Sequence, residues 1–278
     1  TGREMNLFSF LKGEERAKPE AEGETSGADR QTFFIHIPKA AGTSFMSFLC
    51  SHFNEEGILR DAYWESMRKQ PIERLRRFQL ISGHAGYDLV FHLRNPFIVT
   101  VMREPVDRLC SVYEFLKGLF ERSPDETHPD PDVRELFQLW KVIVRRPFEE
   151  FLESPEGPAR AALLENPQAR QLAQSTPYLL TDFPDDLLRG LAVSRLKKID
   201  VVGCVEHFAE SVDLTCRKKG WAPPEDLKTY YLNITENRSI RDGLNPAVRK
   251  KIERMCAVDM ELYEIARERL FNDLLQYK

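Results

Sequence analysis

Four short apolar runs punctuate the chain: Phe33-Phe-Ile-His-Ile37, Phe78-Gln-Leu-Ile-Ser82, Phe97-Ile-Val-Thr-Val-Met102 and Ile199-Asp-Val-Val-Gly-Cys-Val205. They are rich in aromatic and β-branched residues and barely alternate, the pattern of strands buried on both faces. Between and after them apolar positions recur at helical spacing, from Leu109 to Leu119, Val133 to Leu152 and Ala159 to Ala173, with a long helix expected at the C-terminal end. Phe53 to Arg77 is mixed, and Ser123 to Pro131 reads as an acid- and proline-rich loop. Buried strands alternating with helices predict an α/β fold, a mainly parallel sheet covered on both faces. Ligands of such sheets gather beyond the carboxyl ends of the strands. No internal repeat is visible.

The residues directly after each run narrow the chemistry. After Ile37 comes Pro38-Lys-Ala-Ala-Gly-Thr-Ser44, in which Pro38 ends strand pairing, Gly42 permits a tight turn and helix-like residues begin at Phe45. Free backbone N–H groups and the positive end of the helix dipole at such a turn suit an anion. The order is not that of a Walker loop, which closes on Gly-Lys-Ser/Thr, because Lys39 precedes the glycine. An ordinary strand-to-helix turn has the same ingredients. The second run delivers Gly83-His84-Ala85-Gly86 to a flexible corner, where a histidine faces either a ligand or plain solvent. The third leads into Arg103-Glu-Pro-Val-Asp-Arg-Leu-Cys-Ser-Val-Tyr113. This places Arg103 at a strand's carboxyl end and Ser111 two turns into the next helix.

Together these segments resemble the sulfotransferases that use 3′-phosphoadenosine 5′-phosphosulfate (PAPS). Pro38 to Ser44 resembles their 5′-phosphosulfate loop. Arg103, Pro105, Arg108, Ser111 and Tyr113 match their 3′-phosphate element, with Glu104 where aspartate is usual. Gly83-His84 followed by Tyr87-Asp88 is similar to the His-Gly-His-x-x-Tyr-x-Asp-Phe segment of uronyl 2-O-sulfotransferases, and Asn166-Pro-Gln-Ala-Arg-Gln-Leu172 to a segment of heparan 6-O-sulfotransferases and their bacterial relatives. The resemblance implies a P-loop-like sulfotransferase fold and transfer of a sulfuryl group to a hydroxyl of a carbohydrate acceptor, leaving PAP. It implies that Lys39, Ala40, Ala41, Gly42, Thr43 and Ser44 surround the 5′-phosphosulfate and that Arg103 and Ser111 hold the 3′-phosphate. His84 would be the general base, with Lys39 on the leaving oxygen. Thr235 and Arg238 would lie in a late loop over the nucleotide. Gln168 and Arg170 are expected at the nucleotide or an acidic sugar, a polar helix face being the alternative, and Arg108 is expected as a structural ion-pairing residue.

Composition adds boundaries. A formal net charge of −4 argues against a general nucleic-acid binder but leaves room for a local basic cleft. Lys18 to Asp29 has almost nothing apolar to bury, so residues 1–30 are expected as a disordered lead or linker and 31–278 as one enzyme-sized domain. The patch Leu7-Phe-Ser-Phe-Leu11 is too brief to cross a bilayer, and no membrane span is expected. Five dispersed cysteines read as reduced core residues of a cytoplasmic protein, and the resemblance to bacterial relatives implies a bacterial one; an anchor ahead of this sequence would place it in the Golgi lumen instead. The scattered histidines give no ligand spacing, so no metal is expected. Two alternatives stay open: a nucleotide-dependent kinase, and a nucleotide-binding module without turnover.

Overall fold

The computed structural model describes residues 30–60, 62–125, 131–153, 157–176, 183–231 and 239–277. Thr235 and Arg238, and the expected lead before Arg30, lie outside the described residues. Five strands, β1 (Thr32–Ile35), β2 (Ile58–Leu59), β3 (Leu80–Gly83), β4 (Phe97–Met102) and β5 (Val201–Cys204), form one sheet in the order β2-β3-β1-β4-β5. Every pairing is parallel, and β1 sits at the centre with Ile35 level with Gly83 on one side and Thr100 on the other. Every residue of β1, β3, β4 and β5 is buried, as expected of apolar runs lacking alternation. The helices are α1 (Gly42–Cys50), α2 (Trp64–Met67), α3 (Ile72–Leu75), α4 (Pro105–Arg122), α5 (Pro131–Ile143), α6 (Phe148–Glu153) and α7 (Gly157–Leu163), then α8 (Pro167–Ala173), α9 (Asp185–Leu196), α10 (Phe208–Lys219), α11 (Ser239–Asp242), α12 (Pro246–Met255) and α13 (Ala257–Gln276). The chain is thus an α/β protein with a parallel sheet flanked by helices.

The four apolar runs are all strands. The fifth, β2, has two residues inside the segment read as mixed, too few to show a period. Each of the two long helices expected after α4 is broken in two. Pro147 separates α5 from α6, since a proline in a helix interior clashes with the preceding turn and lacks the N–H it would donate. Asn166 separates α7 from α8: its backbone is left-handed (φ 50°), and Pro167 follows at the first helical position. The sheet and the helices packed on it share one apolar core; α4 to α7 and Ile252 and Cys256 enclose a second. All five cysteines are free, and four are buried.

Candidate functional site

The turn after β1 is built differently from its sequence reading. Helix α1 begins at Gly42, not Phe45, and its first i→i−4 bond runs from Phe45 N to Ala41 O at 2.9 Å. The N–H groups of Gly42, Thr43 and Ser44 precede that bond and lie at the positive end of the helix. The left-handed residues of the turn are Lys39 (φ 65°) and Ala41 (φ 53°), and Gly42 is not among them. Glycine is needed at 42 for space. A Cβ there would lie 1.7 Å from Nε2 of His36, whose ring lies against the start of the helix. The Lys39 ammonium stands over the Phe115 ring, 3.9 Å from its centroid. Burial, and then the charge of Arg103, lower its pKa to about 8, so it remains a cation at neutral pH.

His84 follows β3 directly. Its corner is held fast, contrary to the expected flexibility: Ala85 N donates to Ala62 O at 2.8 Å and Gly86 N to Ser175 O at 2.6 Å. The flanking glycines admit neighbouring backbone, because a Cβ would come within 2.1 Å of Ala62 N at Gly83 and 2.0 Å of Gln174 O at Gly86. Nδ1 of His84 is 3.0 Å from the carbonyl oxygen of His36. A carbonyl only accepts, so Nδ1 carries the hydrogen in the neutral ring and Nε2 is left as the basic nitrogen. The Gln171 amide donates to the same carbonyl at 3.0 Å and to His84 O at 3.3 Å. Rings of His36 and Tyr63 lie 4.5 and 5.5 Å from that of His84. Asp88 ties the following segment to Ser175 and Arg195, each at 2.7 Å.

Arg103 emerges at the end of β4, beside the first loop, where its Nη1 donates to Lys39 O at 3.2 Å. Gln168 grips its backbone from both sides, accepting from Arg103 N at 3.0 Å and donating to Arg103 O at 2.9 Å. Gln168 is wholly buried, Arg170 is 3% exposed and donates to Glu165 O, and the rest of α8 is buried too. Neither side chain lies on a polar helix face. Gln168 supports Arg103 rather than standing in an open cleft. It is supported in turn by an exchange of caps: Asp259 accepts from Gln168 N and Ala169 N (3.1 and 2.7 Å), while Asn166 Oδ1 accepts from Val258 N and Asp259 N (2.9 and 3.2 Å). Burial pushes the Asp259 carboxyl up to about 6. Arg108, also buried, donates to Leu163 O and lies within the electrostatic reach of Asp259. Glu104 caps α4, accepting from Asp107 N at 2.7 Å, and Ser111 lies two turns into that helix, 7% exposed.

Lys39, Gly42, His84 and Arg103 are thus gathered at the carboxyl ends of β1, β3 and β4, three adjacent strands. His36, Tyr63, Gln171 and Phe115 join them, although from sequence none of the four was assigned a role at the site. His36 carried a signal, a histidine closing an apolar run. Gln171 sits one helical turn from Gln168, and Tyr63, in the mixed segment, gave no sign. A separate cleft between α6 and the α11–α12 turn, lined by Phe148, Ile240 and Leu244, shares no residue with this cluster. The sequence matches no protein-family model and no curated protein.

Proposed function

We propose that the protein is a PAPS-dependent O-sulfotransferase acting on a carbohydrate hydroxyl. The observation that carries this reading is the tie among the three strand ends: Arg103 bonds the Lys39 carbonyl, and His84 is held by Nδ1 on the His36 carbonyl. An anion cradle and a base with a fixed tautomer therefore share one rim. The donor supplies a sulfuryl group, whose bond to the leaving phosphate oxygen breaks as the acceptor oxygen bonds to sulfur. The N–H groups of Gly42, Thr43 and Ser44 would hold the donor's 5′ end, and Arg103, with Ser111, its 3′-phosphate. Nε2 of His84 takes the proton of the attacking hydroxyl. Lys39 leaves Phe115 to neutralise charge growing on the leaving oxygen.

Calorimetry with PAP, ADP and ATP tests the reading, joined to turnover of PAPS against a panel of polysaccharides followed by mass spectrometry. PAP is expected to bind at least about tenfold more tightly than ADP, the worth of charge-assisted hydrogen bonds to the 3′-phosphate, and Arg103→Ala is expected to remove that preference. His84→Ala is expected to retain PAP and lose roughly 10²- to 10⁴-fold in turnover. Equal affinity for PAP and ADP overturns the assignment. Tight ATP binding with a Mg²⁺ requirement favours a kinase, and PAP binding with no turnover on any acceptor favours a binding module.

A further inference from the structure

His36 lies between the two halves of this site, yet the sulfuryl transfer gives its side chain no part. Its ring fills the space that a side chain at position 42 would need, packs nearly parallel to Phe34 (5.7 Å, 8°) and meets the His84 ring at 4.5 Å. Its backbone is equally committed. The N–H donates to Gly83 O at 3.0 Å, and the carbonyl accepts from both His84 Nδ1 and the Gln171 amide. The end of β1 therefore touches the base through a ring and through a carbonyl, and Gly42 and Phe34 stop that ring from moving away.

We propose that His36 is a positioning residue for His84: its ring, braced on Gly42 and Phe34, keeps the His84 imidazole turned so that Nδ1 stays on the His36 carbonyl and Nε2 faces the acceptor. This rests on the proposed role of His84 as base. The ring acts by its shape, not by exchanging protons. Its surroundings agree: burial, then the charges of His84 and Lys39, hold its pKa well below the ordinary histidine value, so it stays neutral while its neighbours change charge. Tyr63 and the Arg103 guanidinium are further titratable groups of this cluster.

Two variants and two readouts test it. His36→Ala removes the brace; His36→Phe keeps a flat ring in the same space without nitrogens. Nitrogen-15 spectra of the imidazoles report the His84 tautomer without any substrate, with His84→Gln assigning the signal. Expected for His36→Ala are loss of the single Nδ1–H form of His84, PAP affinity within about threefold of wild type, and kcat lower by on the order of 10²-fold, the cost of about 1 Å of misplacement. His36→Phe is expected to restore the tautomer and most of kcat. If His36→Phe is as impaired as a folded His36→Ala while His84 keeps its tautomer, His36 acts through its own nitrogens and the proposal fails. It fails also if His36→Ala keeps both tautomer and kcat. Should His36→Ala not fold, a His36→Phe protein that loses the tautomer or the rate is sufficient to overturn it, and one that keeps both upholds it. A wild-type protein without sulfate transfer removes the sulfotransferase function, and the spectra still decide whether His36 positions His84.

Discussion

Lys39 has a left-handed backbone, stands over an aromatic face and loses part of its basicity to burial and to Arg103. Its pKa of about 8 lies below the unfolded lysine value of roughly 10.4. Between these values the unfolded chain holds a proton that the folded protein has released, so its contribution to stability rises with pH across that window. Anion binding runs the other way, because only the ammonium attracts the phosphosulfate. PAP affinity is therefore expected to fall as pH rises through about 8. At pH near 9 binding should take up a proton, seen as a calorimetric enthalpy that depends on the ionisation heat of the buffer. Lys39→Met should abolish that dependence. Unchanged proton uptake in the variant would assign the titration to another group.

At the scale of elements, the junction of α8 with α13 fixes the arginine. Asn166 and Asp259 each cap the other's helix, so four buried N–H groups at two helix starts are satisfied by two side chains. Two residues after Asn166, Gln168 holds the backbone where β4 passes into α4. Replacing either cap with alanine leaves two buried donors without acceptors and is expected to cost about 2 kcal/mol. The double variant should cost less than the sum, because each cap presupposes that the helix ends meet. Urea unfolding of the two single variants and the double variant measures this. Strict additivity would mean the caps act independently. Sequence alone foresaw a helix across this region. Asn166-Pro167 signals a break, yet the cap partner 93 residues away has no local trace.

At the scale of the whole molecule, β1 at the centre of the sheet brings three loops together that are distant along the chain. If the donor bridges them, PAP is expected to slow amide hydrogen exchange at residues 36–44, 83–86 and 103–105 together. These amides otherwise open through separate local fluctuations. Protection confined to the cleft at Phe148, Ile240 and Leu244 would move the ligand site there.

The four long strands were legible in the sequence because burial on both faces leaves an unbroken apolar run, a property of the residues themselves. The placing of Lys39, His84 and Arg103 at strand ends was legible for the same reason, since each comes just after such a run. The work of the glycines was not. Gly42, Gly83 and Gly86 read as sources of backbone freedom, yet each is there because another part of the chain comes too close for a Cβ. Nor was the support of His84 by His36 and Gln171, or of Arg103 by Gln168 and Asp259. Periodicity records which face of an element is buried; which atoms meet it there depends on contacts between residues far apart in sequence, and only the folded arrangement decides those.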